Sequence, residues 1–299
     1  MAVIQKVVVV GATGSVGPHI VSALLDRSFQ VWVLTRRASA LPFPPQVHAI
    51  QTDYSLASLE KAFEGKDAVI CTLGHAGLGM QIDLVNAAEK AGVKRFIPSE
   101  FGPPRGGRDI PEYRNLQKNK LDVIGHLMNK AERNPQFTWS AFSTGTFLDR
   151  ALITFPDFGF DIKNQSAIIF DSGNEPFTAM ALSHIGQPVA ASLEKFEETK
   201  NRYVGISSLR TTQNEILAVL VQQTGKQWTI TNRKTKDILA EAKEKMASGD
   251  FKGGYIGFMI AQMFEDDAGR AMVDGSDNQL LQIQQEPLEN LIEQVLGQI

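Results

Sequence analysis

One cysteine, Cys71, occurs among the 299 residues, so no disulfide can close within the chain, and a reducing compartment is expected. No apolar stretch approaches the roughly 20 residues that span a bilayer. Lys6 lies close before a short valine run, so neither a signal peptide nor an anchor is expected, and the cytoplasm is the expected location. Neither sign of charge is in excess. The formal net charge of −3 gives no reason to expect nucleic acid or an anionic membrane as a partner. The five histidines are scattered without metal-ligand spacing, so no metal site is expected. A GxSxG elbow and a Cys–His pairing are both missing, which disfavours nucleophilic hydrolysis. Cys71 sits in the apolar run Ala68-Val69-Ile70-Cys71 and reads as a buried structural thiol. The last absence is acidic: no Asp or Glu occurs between Asp26 and Asp53.

What is present starts with Val7-Val8-Val9-Val10, a β-branched run that reads as a strand buried on both faces. It breaks into Gly11-Ala12-Thr13-Gly14-Ser15-Val16-Gly17 and then a helical pattern. Gly11 allows a sharp turn, Gly14 allows backbone to approach a pyrophosphate, and Gly17 allows close packing of helix on strand. The helix amino terminus offers unpaired N–H groups to phosphates. A second strand, 30–34, ends at Thr35-Arg36-Arg37. An acidic residue there would hold a ribose 2′-hydroxyl, whereas arginine accommodates a 2′-phosphate. The expected cofactor is therefore NADP(H), held by Gly11, Thr13, Gly14, Ser15, Val16, Gly17, Thr35, Arg36 and Arg37.

Strand and helix alternate through residues 47–142, with strands expected at 47–50, 68–73, 94–98 and 137–142 and helices at 55–63, 81–91 and 115–131. Ser55 is a plausible helix cap. This pattern predicts an α/β fold, a Rossmann-type doubly wound parallel sheet over residues 1–145. Beyond it the alternation decays. Strand-like segments at 166–170 and 202–206 and helical ones at 211–224, 235–246 and 287–296 predict a smaller α+β substrate region over 146–299, some of whose elements could return to the first domain. Ligands of such sheets gather at the carboxyl ends of the strands. Two of those ends carry Leu73 and Gly74, and Ser99, Glu100 and Phe101, all expected on the cofactor side. Phe147, Tyr255 and Phe258 are the expected substrate contacts. The segment 249–258, rich in glycine and aromatics and read as a loop, or else the loop 103–111, is expected to close over the substrate.

GATGSVG, then TRR, then Arg95-Phe96-Ile97-Pro98-Ser99-Glu100-Phe101-Gly102 resembles the isoflavone reductase-like and NmrA-like branch of the atypical short-chain dehydrogenases. The likeness is close over about the first 150 residues and looser beyond, where it leans toward fungal members. It implies a Rossmann domain, a smaller carboxyl-terminal substrate domain, and NADPH-dependent reduction of an aromatic or secondary-metabolite substrate. The family's catalytic lysine lies on the helix after the SEFG loop, and Lys120 and Lys118 both compete for that place. Lys120 falls within the stripe of Leu116, Ile124, Leu127 and Ala131, while Lys118 points away. The arginine that follows the family's lysine is missing in either register, and no Tyr-x-x-x-Lys pair exists. The resemblance implies a reductase acting on a C=C, C=N or C=O bond or, as the alternative, a non-catalytic NADP(H)-binding sensor; a non-redox isomerase or cyclase using the same pocket is a third reading. The partner is a small-molecule substrate, and monomer and homodimer stay open.

Overall fold

The computed structural model describes residues 4–36, 42–104 and 109–299. The valine run becomes the strand Lys6–Val10, and its four valines are fully buried. It lies parallel between Gln30–Thr35 and Ala68–Cys71, with Val7 opposite both Val31 and Ala68. Across the sheet the order is Arg202–Gly205, Thr138–Ser143, Arg95–Ile97, Ala68–Cys71, Lys6–Val10, Gln30–Thr35, Val47–Gln51, and the short strand Phe101–Gly102 pairs with Thr138–Ser143. From Lys6–Val10 the chain first winds toward Val47–Gln51. It then returns to build the other half from Ala68–Cys71 outward. That reversal makes the gap between Lys6–Val10 and Ala68–Cys71 the place where a crevice opens in such sheets.

The chain divides into two units. The first holds residues 1–101, 118–142 and 183–204; the second holds 102–117, 143–182 and 205–299. Within the first unit, helix Gly186–Glu194 packs on helix Gly17–Asp26 so tightly that a Cβ on Gly186 would stand 2.1 Å from the His19 carbonyl oxygen. Arg95 is also fully buried there. Its guanidinium donates to Thr138 Oγ1 (2.9 Å), Ser140 Oγ (2.6 Å), Thr199 Oγ1 (3.0 Å) and the Phe196 carbonyl (2.6 Å). Burial brings this arginine down to about 10. It ties the 196–199 turn to the sheet entirely through neutral acceptors.

The second unit contains two three-stranded sheets. In one, Ser166–Phe170 lies between Thr229–Arg233 and Phe160–Asp161; in the other, Phe177–Met180 lies between Leu209–Thr211 and Thr146–Phe147. Its core is largely aliphatic around a phenylalanine centre, with Phe264 against Phe158 (5.3 Å), Phe170 (5.3 Å) and Phe177 (5.7 Å).

Several expectations are corrected. The single helix expected at 115–131 is two helices, Pro111–Leu116 and Lys118–Arg133, with Gln117 between them turning off helical dihedrals (φ −90°, ψ 6°). The loop expected at 249–258 is mostly helix, Phe251–Phe264, capped where Asp250 accepts from the Gly253 N–H. Its glycines are contact points, not hinges. A Cβ on Gly254 would lie 2.5 Å from Met246 Sδ, and one on Gly257 would lie 2.7 Å from Ala242 Cβ, so they let this helix close on Thr235–Ala247. Among the described residues no helix is long and apolar enough to cross a membrane, and no cluster of His, Cys, Asp or Glu could hold a metal.

Candidate functional site

At the reversal in strand order the first glycine loop meets the end of the strand Ala68–Cys71. Gly11 has φ +83°, and a Cβ there would press within 3.0 Å of the Thr72 backbone. Gly14 donates its N–H to the Gly11 carbonyl (2.9 Å), tightening the loop. A Cβ on Gly17 would stand 2.5 Å from the Ala12 carbonyl oxygen. The helix that follows carries no side-chain cap and has Pro18 in its first turn, so its leading N–H groups are left for a ligand.

These residues border a cavity of about 610 Å³ that Gly11, Thr13, Gly14, Thr35, Arg36, Leu73 and Gly74 all line. Ala12, Val33, Leu34, Pro42, Phe43, Tyr54 and Thr72 complete the wall. Arg36 also borders a neighbouring cavity of about 440 Å³ with Gln51, Thr52, Asp53 and Ser58. The space, the bare glycine cradle, the uncapped helix and the exposed guanidinium together fit a phosphorylated dinucleotide. Ser15 and Val16 lie on the same loop, with Ser15 exposed and Val16 half-buried, outside the cavity wall. Arg37 lies outside the described residues.

The second strand-end cluster is built by polar contacts. Ser99 Oγ donates to the Leu73 carbonyl (2.7 Å), joining the ends of two adjacent strands. The Ser99 N–H donates to Gln81 Oε1 (2.8 Å) from a side chain almost wholly inaccessible to solvent. Cys71 lies beneath them, and burial pushes its thiol up to about 12, which suits a core residue and not a nucleophile. Phe101 stacks on Phe142 with ring centres 6.0 Å apart. Glu100 is 2 % exposed, and its carboxylate lies 3.9 Å from Lys120 Nζ.

The two lysines have different surroundings. Lys118 is exposed and forms an ion pair with Asp122 one turn on. Lys120 is half-buried and turned toward Glu100, on the side that also carries the buried Val123, Ile124, Leu127 and Ala131. The apolar stripe of this helix begins at Val123, since Leu116 belongs to the preceding helix.

In the second unit, Phe258 is 3 % exposed, packed in a small cluster with Ile110, Tyr113, Ala242 and Ala261, so its ring serves packing. Tyr255 is half-buried, 6.4 Å from the Tyr113 ring, and accepts from Gln117 Nε2 (3.4 Å). Phe147 is half-buried on the short strand Thr146–Phe147.

Sequence reasoning missed Phe43, Tyr54 and Gln81. The first two sit in connections whose course depends on neighbouring strands. Gln81 carried a usable signal: a long amide opening a helix beside a small-residue loop can turn back to cap a backbone group.

The sequence pattern of the NmrA-like family matches residues 4–266. The chain is 37% identical over 290 residues to the oxidoreductase poxI of Penicillium oxalicum, covering 95% of this chain and 92% of that one. Among solved structures it is similar to AtPrR2 with NADP+ and (+)pinoresinol, at a TM-score of 0.80 and 19% identity, over 99% of this chain and 100% of that one. It is also similar to a leucoanthocyanidin reductase–NADPH complex from Vitis vinifera, at a TM-score of 0.77 and 19% identity, over 98% and 100% of the two chains.

Proposed function

Because the chain belongs to the NmrA-like family, we propose that it is an NADPH-dependent reductase acting on a small aromatic or secondary-metabolite acceptor. The observation that carries this reading is the cavity of about 610 Å³, where the glycine cradle and Arg36 share one wall. The named oxidoreductase relative and the reductase fold support it.

Gly11, Thr13 and Gly14 would hold the pyrophosphate through backbone N–H groups, with Gly17 letting the helix terminus come close. Thr35 and Arg36 would take the adenosine end. Leu73, Gly74, Ser99 and Phe101 would line the nicotinamide end and keep water from it. When bound, NADPH supplies the hydride. Glu100 gives the Lys120 ammonium an opposite charge, so Lys120 Nζ suits a donor of a hydrogen bond or proton to the acceptor, not a base.

Loss of the reduced-nicotinamide absorbance against a panel of aromatic enones, imines and quinones tests the reading. With an accepted substrate, Lys120→Ala is expected to lower kcat about 100-fold or more, and Lys118→Ala to leave it unchanged. Tight NADPH binding with no consumption across the panel would instead favour a nucleotide-sensing protein.

A further inference from the structure

Between strand Val47–Gln51 and helix Leu56–Phe63 the chain turns a tight corner. Tyr54 stands in it with φ +63°, a left-handed backbone that bulky residues rarely adopt. The corner is pinned from several sides. The Tyr54 N–H donates to Thr52 Oγ1 (3.0 Å), and that oxygen lies 2.9 Å from Ser58 Oγ. Strain fixed this firmly, at a ligand-sized cavity, points to a side chain that has to be aimed.

The ring packs partly against the core below, and Tyr54 lines the same cavity as Arg36. Burial pushes the phenol up, and the Arg36 guanidinium is near enough to pull it the other way. The phenol is thus a neutral donor beside a cationic one. Among the described residues the Tyr54 hydroxyl has no hydrogen-bond acceptor, and Arg36 has no ion pair. The nearby carboxylate, Asp53, is engaged in the corner, where its Oδ1 accepts from the Ser55 N–H (2.9 Å) and Ser55 Oγ (2.7 Å). Two donors bordering one cavity suit a ligand with several acceptor oxygens and a negative charge.

We propose that Tyr54 is a specificity-determining residue whose hydroxyl donates to the phosphate on the nucleotide's ribose 2′ position, alongside Arg36. The proposal rests on the reading of this cavity as the NADP(H) site. It goes further by giving the choice between NADPH and NADH a second, uncharged determinant on a different strand end.

Calorimetric titration of the wild type, Tyr54→Phe and Arg36→Ala with NADPH, NADH and 2′,5′-ADP tests it without any substrate. Tyr54→Phe keeps the ring and removes only the hydroxyl. It is expected to weaken NADPH and 2′,5′-ADP by about tenfold or more, leaving NADH binding and thermal unfolding unaltered. Arg36→Ala should follow the same pattern with a larger loss. Equal weakening toward NADPH and NADH would assign Tyr54 to packing against the adenosine and overturn the proposal, as would unchanged affinity for all three ligands. A wild type that binds none of them would overturn the cofactor reading itself, and the proposal with it.

Discussion

The two units of the chain close their cores by different means. The first is organised by one sheet whose central strands are buried on both faces, so Val7–Val10 and Ala68–Cys71 are wholly inaccessible. Its fully buried guanidinium, Arg95, is satisfied by three hydroxyls and a carbonyl. The second unit has strands of two to five residues, and its centre is a group of phenylalanines around Phe264. A long parallel sheet concentrates its stability in backbone pairing and aliphatic burial, whereas short sheets depend on large side chains meeting from distant parts of the chain. The first arrangement is repetitive, and the second is specific to each contact.

The sharpest way to break this comparison is to damage each core in its own currency. Arg95→Met should leave Thr138, Ser140 and Thr199 hydroxyls and the Phe196 carbonyl without their donor, at a cost of about 3–5 kcal/mol. Phe264→Ala should cost a similar ~3–5 kcal/mol through the cavity it leaves. Urea unfolding of variants retaining only Trp139, in the first unit, or only Trp228, in the second, reads the two separately. Arg95→Met is expected to move chiefly the Trp139 midpoint, and Phe264→Ala the Trp228 midpoint. Equal shifts of both midpoints by either substitution would mean that the two units unfold as one.

The same contrast explains what could be read in advance. The strands of the first unit appear in the sequence as apolar runs because burial on both faces leaves no room for polar alternation. The glycine loop and Arg36 were legible because a turn, a close approach and a charged strand end each demand a residue type. Strands Phe177–Met180, Leu209–Thr211 and Thr229–Arg233 were not. The last is exposed at Thr229, Ile230, Thr231 and Asn232, so no burial period marks it. Helix Gly186–Glu194 was missed because it is buried nearly all round, which removes the amphipathic stripe. At the cavity, Tyr54 escaped because its place in the wall depends on the neighbouring strands and not on a local pattern.

Glycines sharpen the comparison further, since those of segment 249–258 were misread. In Phe251–Phe264 they looked like hinges because sequence spacing alone cannot distinguish a flexible loop from a close helix crossing. Gly257→Val places methyl groups where Ala242 Cβ already lies within 2.7 Å of a hypothetical Cβ. If the crossing matters, thermal unfolding should show a loss of about 2 kcal/mol, with the cofactor affinity of the first unit unaltered. A hinge would instead tolerate valine in stability and show its effect on substrate turnover.

The smallest expected effect concerns local capping, which does not depend on the kind of core beneath it. In the first unit Ser55 Oγ accepts from the Ser58 N–H at 3.3 Å while donating to Asp53. In the second, Thr212 and Glu215 exchange reciprocal bonds: the Glu215 N–H donates to Thr212 Oγ1 (3.2 Å) and the Thr212 N–H to Glu215 Oε2 (2.8 Å). Either alanine substitution removes one acceptor from a helix start, worth about 1 kcal/mol. Thr212→Ala should cost slightly more, because Glu215 then holds its half of the box without the partner bond that fixes it. Ser55→Ala loses a longer bond, and the Ser58 N–H it exposes can turn to water. Chemical denaturation of the two variants side by side checks this order. A Ser55→Ala loss well beyond 1 kcal/mol would mean that the Asp53–Ser55 corner also supports the strained backbone of Tyr54, making this cap part of the nucleotide site and not a local device.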